Sequence, residues 1–229
     1  MNTHYFREVE KLKIHILGLG ALVEKQLYEA VRAVELRQAD LASKVIALDH
    51  EVDMKENEID EECLKILALY QPVAGDLRYV VSISKINSDL ERIGDLAVNI
   101  AERAKLLSAK PPPKVSLDFP AMTVRVQEML KKSIDSLVNL DAQLAEEVCR
   151  ADDEIDRMNR SIYDTIKQAI SQEPAPESVS TLIQLLLVSR FLERIADHTT
   201  NIAEDVIYTI EARIVRHNTK TVTADVDQK

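Results

Sequence analysis

Residues 90–102 read LERIGDLAVNIAE and residues 192–204 read LERIADHTTNIAE, so nine of thirteen letters recur after 102 positions. A helix tolerates almost any polar residue on its solvent face. Here the polar letters recur together with the apolar ones, so the copied unit is more than a packing seam.

Around the first copy, Ile83, Ile86, Leu90, Ile93, Ala97, Ile100, Ala104 and Leu107 alternate three and four residues apart. That spacing predicts a bundle helix of about 30 residues. Similar seams cover residues 12–36, 41–69, 124–140, 144–170 and 182–210, which makes six helices. Prolines fall at Pro72, at 111–113 with Pro120, and at Pro174 with Pro176. Because proline is expelled from helix interiors, these mark three breaks. Two more are read from polar caps: Asp40 as an N-cap, and the turn at 139–141. Short turns between long helices imply antiparallel neighbours. The expected fold is all-α, two repeated antiparallel three-helix bundles, with boundaries at 1–109, a linker at 110–117, a second bundle at 118–213 and a flexible tail at 214–229. Gly18 and Gly20 interrupt the first helix, where they permit close helix approach or a bend.

Composition agrees. Four glycines, no tryptophan and an abundance of Ala, Leu, Ile, Glu and Lys favour helix over strand. A net charge of −10 disfavours sequence-independent nucleic-acid binding, which needs clustered cations, and disfavours a surface pocket for phosphate anions. The charged opening and the short apolar run at 182–188 predict neither a signal peptide nor membrane insertion, and the protein is expected to be cytoplasmic. Cys63 and Cys149, at unrelated positions in the two halves, read as small core residues.

On a helical wheel with Glu91 at zero, Asp95 falls near 40° and the seam centres near about 220°, so the acids are expected to point away from the core. Glu193 and Asp197 repeat that placement, while Asp49 with Asp53, and Asp152 with Asp156, flank the apolar faces of the second and fifth helices. A single such pair reads as a solvated face. Four pairs, each repelling by about 0.2–0.5 kcal/mol, call for something that reverses the sign: a hard cation ligated by carboxylates of adjacent helices, or a basic partner surface.

The duplicated LERI motif, the acid pairs in DHEVD and DDEID, and QPVAGDLR at 71–78 together resemble the PhoU family, accessory regulators of bacterial phosphate-specific transport, over about residues 3–213. The resemblance implies an often dimeric cytoplasmic protein, a non-catalytic adaptor between the phosphate transporter ATPase subunit and a sensor histidine kinase, restraining the phosphate-starvation response. It implies metal sites at Asp49, Asp53, Glu91 and Asp95, and at Asp152, Asp156, Glu193 and Asp197, for Fe, Zn, Mn or Mg. His198, beside a motif acid, is a candidate extra ligand of the second site. No GxxxxGK[ST] loop or Ser-His-Asp set stands out. Two alternatives differ in class. A carboxylate-bridged metalloenzyme would use inward Glu-x-x-His pairs, which the five histidines do not form; a metal-binding or purely structural helical protein needs no partner.

Overall fold

The computed structural model describes residues 3–112, 115, 117, 119–172 and 175–213. Among the described residues six helices follow in order: α1 Thr3–Leu36, α2 Ala39–Tyr70, α3 Ala74–Ser108, α4 Phe119–Asn139, α5 Ala142–Gln172 and α6 Pro176–Glu211. Among the described residues there is no strand. The first three pack on one another, as do the last three, and the halves join through α3 against α6 and α1 against α4. The expected tail at 214–229, together with Pro113, Asp118 and Pro174, lies outside the described residues.

Helix ends follow local chemistry. Pro176 occupies the first turn of α6, where its missing N–H breaks no bond. Asp141 caps α5 by accepting from the Leu144 amide at 3.0 Å. At α2 the expectation fails: the N-cap is Gln38, without a side-chain bond, and Asp40 lies in the first turn. An acid there still favours the helix dipole, which is why the sequence signal sat two residues late. α2 ends at Gln71 with φ 45°, its amide donating to Leu67 O.

Burial separates outer from central helices. α2 buries a row Val45, Val52, Ile59 and Ile66 at seven-residue spacing, with Ala42 and Cys63 beside it, and α5 buries Val148, Ile155 and Ile162, with Ala145 and Ile166 beside them, a narrow stripe each. α3 and α6 bury fourteen and fifteen residues, over a much wider arc, because each faces its own bundle and the other half together. The buried side chains of all six helices form one cluster. Gly20 allows the close α1–α4 approach: a Cβ there would lie 2.8 Å from Ile134 Cδ1. Gly18 has nothing within 4 Å and plays no such part. Cys63 is buried and Cys149 half-buried, both free thiols. Burial pushes them up to about 12 and about 11.

Polar contacts cross-link α3 and α6 in antiparallel register. Lys85 Nζ lies 3.4 Å from Asp205 Oδ1, Asn201 Nδ2 donates to Asp89 Oδ1 at 3.2 Å, and Arg103 donates to Gln184 Oε1 at 3.2 Å. Beyond the end of α3, Lys110 reaches Ser180, and Arg37, in the turn after α1, donates to the carbonyls of Leu107, at 2.9 Å, and Lys110.

Candidate functional site

The copied acids lie along two seams, α2 against α3 and α5 against α6. In the first half Asp49 feels Asp53 and Asp95, and Glu91 feels Asp95, Glu56 and Asp53. In the second, Asp152 feels Asp197, Asp156 and Glu193. Each predicted quartet therefore lies along the seam between two neighbouring helices of one bundle, its acids within electrostatic reach of one another.

The outward placement predicted by the wheel needs correcting. Glu91 and Asp95 are half-buried and Glu193 is 9% exposed, whereas Asp197 stays exposed. The wheel assumes one buried arc, but α3 and α6 are covered from several sides, so the face opposite their main seam still meets the edge of the outer helix. Burial is the first cause of every raised carboxyl here. It lifts Asp49, Glu91 and Glu193 above their ordinary values, with mutual repulsion adding to it, and it carries Asp152 to about 6; Asp197, although open to solvent on one side, is raised too, by desolvation in the crowded seam and then by Asp156.

Arginines offset part of the repulsion. Arg92 lies 3.5 Å from Glu91 and 3.3 Å from Asp95, Arg190 lies 2.8 Å from Glu193, and Arg160 lies 3.5 Å from Asp156. Such exposed cations hold their partners loosely, at about 0–1 kcal/mol per pair. Glu193 Oε2 is buried with no hydrogen-bond partner among the described residues, an arrangement that leaves a desolvated carboxyl oxygen unpaired. Among the described residues, no group of three or more His, Cys, Asp or Glu is drawn close enough to hold one ion. The donors themselves, all carboxylate oxygens with an orphaned buried atom among them, fit a hard cation.

His198 faces the other half. Its Nδ1 lies 2.8 Å from Asp89 Oδ1 on α3, beside the Asn201 bond to the same oxygen. The sequence placed it next to Asp197, but successive helix residues diverge by about 100°, and the ring turns into the α3–α6 interface. One ring nitrogen is thus engaged outside the acid quartet.

Sequence reasoning missed Gln26, Glu56, Asp60 and Asp89. Asp60 accepts from Ser84 Oγ at 3.1 Å and Asn87 Nδ2 at 3.3 Å, fastening α2 to α3 beside the acids. Gln26 of α1 is fully buried and its Nε2 donates to Asp49 Oδ1 at 3.2 Å. One signal for it was available, a polar residue within the apolar row Leu19, Val23, Leu27, Ala30.

A duplicated three-helix bundle, with facing carboxylates along one seam of each copy, defines a class of tandem-repeat helical proteins. The family model described as the PhoU domain matches residues 16–104 and again 119–206, and the chain belongs to that family. A Pseudomonas putida protein named phosphate-specific transport system accessory protein PhoU homolog is 38% identical over 99% of this chain and 88% of its own length. An Aquifex aeolicus protein of the same name is 38% identical over 93% and 95%. Among solved structures, PhoU from Pseudomonas aeruginosa superposes with TM-score 0.86 at 37% identity, covering 91% of this chain and all of that one. The phosphate transport system regulatory protein PhoU from Streptococcus pneumoniae gives TM-score 0.80 at 29% identity, covering 92% and 99%. Among the described residues, no helix is long and apolar enough to cross a membrane.

Proposed function

We propose that this chain is a non-catalytic adaptor of phosphate-specific transport, restraining the phosphate-starvation response when phosphate is ample. The observation that carries this reading is the family match in both halves together with near full-length similarity to proteins named as transport-system accessory or regulatory proteins. As an adaptor it acts in the cytoplasm, as a homodimer, contacting the ATPase subunit of the phosphate transporter and a sensor histidine kinase.

In the same reading each seam holds hard cations. Asp49, Asp53, Glu91 and Asp95 supply oxygens in the first half, and Asp152, Asp156, Glu193 and Asp197 in the second. A bound Fe, Zn, Mn or Mg ion would neutralise the raised carboxyls and tie an outer helix to a central one. The residues of this chain orient the carboxylates, while Arg92, Arg160 and Arg190 screen them when the ion is absent.

Deletion of the gene in cells grown in phosphate-rich medium should raise alkaline phosphatase or an equivalent starvation reporter, and reintroduction should lower it. An unchanged reporter removes the regulatory reading. A pull-down from cells grown in high and low phosphate should recover the transporter ATPase and the sensor kinase. Recovery of neither removes the adaptor role.

A further inference from the structure

The two acidic seams differ in what stands behind them. In the first, the amide of Gln26 reaches from α1 between α2 and α3, where Nε2 donates to Asp49 Oδ1 at 3.2 Å. The cost is visible on the other side of the amide: Oε1 is buried with no hydrogen-bond partner among the described residues. Swapping the amide's two ends would set Oε1 against a carboxylate, so Asp49 fixes the orientation.

Gly94 makes the room. A Cβ there would lie 3.1 Å from Gln26 Oε1, 3.2 Å from Val52 Cγ1 and 3.9 Å from Asp49 Oδ1, which crowds the amide against α2. Glycine in mid-helix weakens α3. The first half therefore carries two destabilising choices at one point, and both serve a single hydrogen bond to one acid.

The second half does without them. The two copies of the PhoU domain begin at residues 16 and 119, and the buried rows of α1 and α4 keep that register: Leu19, Val23, Leu27 and Ala33 correspond to Met122, Val126, Leu130 and Ser136. In it Gln26 corresponds to Met129, 2% exposed, and across the LERI repeat Gly94 corresponds to Ala196. Asp152, the copy of Asp49, thus stands with an apolar side chain and a Cβ behind it, and the fold accepts both. Packing alone does not require the amide.

We propose that Gln26 is a positioning residue that pre-organises Asp49, and with it the first acidic seam, for a divalent cation, making the two seams unequal binding sites. The proposal rests on the reading that the seams hold cations. Gln26 acts through Asp49, as groups behind metal ligands commonly do, and Gly94 acts through Gln26.

The test uses the full-length chain, stripped with chelator and titrated with Mn²⁺ by equilibrium dialysis and electron paramagnetic resonance, with thermal melts of the metal-free forms. The wild type should show a tight and a weaker class of site, and E91Q/D95N should remove the tight class. Q26M, which installs the residue of the second half, should weaken the tight class about 10- to 100-fold, leave the weaker class unchanged, and leave the metal-free Tm at or above wild type. G94A should weaken the tight class in the same direction, and M129Q/A196G should tighten the weaker one. Unchanged tight binding in Q26M, with a lowered metal-free Tm, would make Gln26 a packing residue and overturn the proposal while leaving the seams as cation sites. Two equal classes in the wild type would also overturn it. Absence of any Mn²⁺ binding or Tm shift in the wild type would instead overturn the cation reading itself, and the proposal with it.

Discussion

Burial, then Asp197, Asp156, Asp153 and Glu193, raise the carboxyl of Asp152 from 3.8 to about 6. Asp153 and Asp156 stay nearby in the unfolded chain, but the burial and the α6 acids Asp197 and Glu193 do not, so the folded state binds this proton more tightly. Its contribution to stability is complete below the unfolded value and is lost as pH rises through about 6. Metal-free protein should therefore melt at a higher temperature near pH 5 than near pH 8, and Asp152→Asn should flatten that slope and raise the Tm at the alkaline end. Melts across this window in chelator check it. A variant with the wild-type slope would show that the acid carries no such strain. With a cation present the dependence should reverse, because protons and metal compete for the same oxygens. The identities of the eight motif acids were legible from the repeat. Their burial was not, since it depends on which neighbouring helix covers α3 and α6.

Helix boundaries were largely written in prolines and polar caps. Asp141 shows one that was read correctly: its carboxylate takes the Leu144 amide. Asp141→Ala should lower stability by about 0.5–2 kcal/mol, measurable by urea denaturation, with the fold retained. Asp40→Ala should cost less, because Asp40 caps nothing and contributes only its charge to the first turn of α2. The pair distinguishes a true cap from a nearby acid. Gly20 carries a different kind of information. A Cβ there would press on the tip of Ile134 at 2.8 Å, so Gly20→Ala is tolerable by rotation of that side chain, while Gly20→Val should destabilise by about 1–3 kcal/mol. Thermal melts of the two variants check this ordering. A glycine in a helical sequence signals close approach without naming the partner, and α4 lies about 100 residues away in the chain.

Taken whole, the six helices share one buried cluster, and α3 and α6 are its centre. The halves should accordingly unfold together, giving one calorimetric transition whose measured and van't Hoff enthalpies agree. Two separated transitions would show that the repeat units are energetically independent. Asp89 lies at the interface, accepting from Asn201 and paired with His198. Asp89→Ala should destabilise by about 1–3 kcal/mol, because it strips the partner from groups that are mostly buried. The second copy has Phe191 at the position equivalent to Asp89, so this polar link occurs once and breaks the symmetry of the repeat.

By itself the sequence determined the helical class, the six segments, the duplication and the eight acids that recur with it. Those features are local or periodic: a 3.6-residue seam, a proline, a cap and a copied motif all act within a few turns of one helix. Only the tertiary structure decided that six of the eight acids are partly or fully buried, that Gln26 stands behind Asp49, that His198 turns to Asp89, and that α3 and α6 weld the halves into one core. Each of these joins residues on different helices, and the direction of a side chain across an interface depends on the packing of both partners, which periodicity along one chain does not encode.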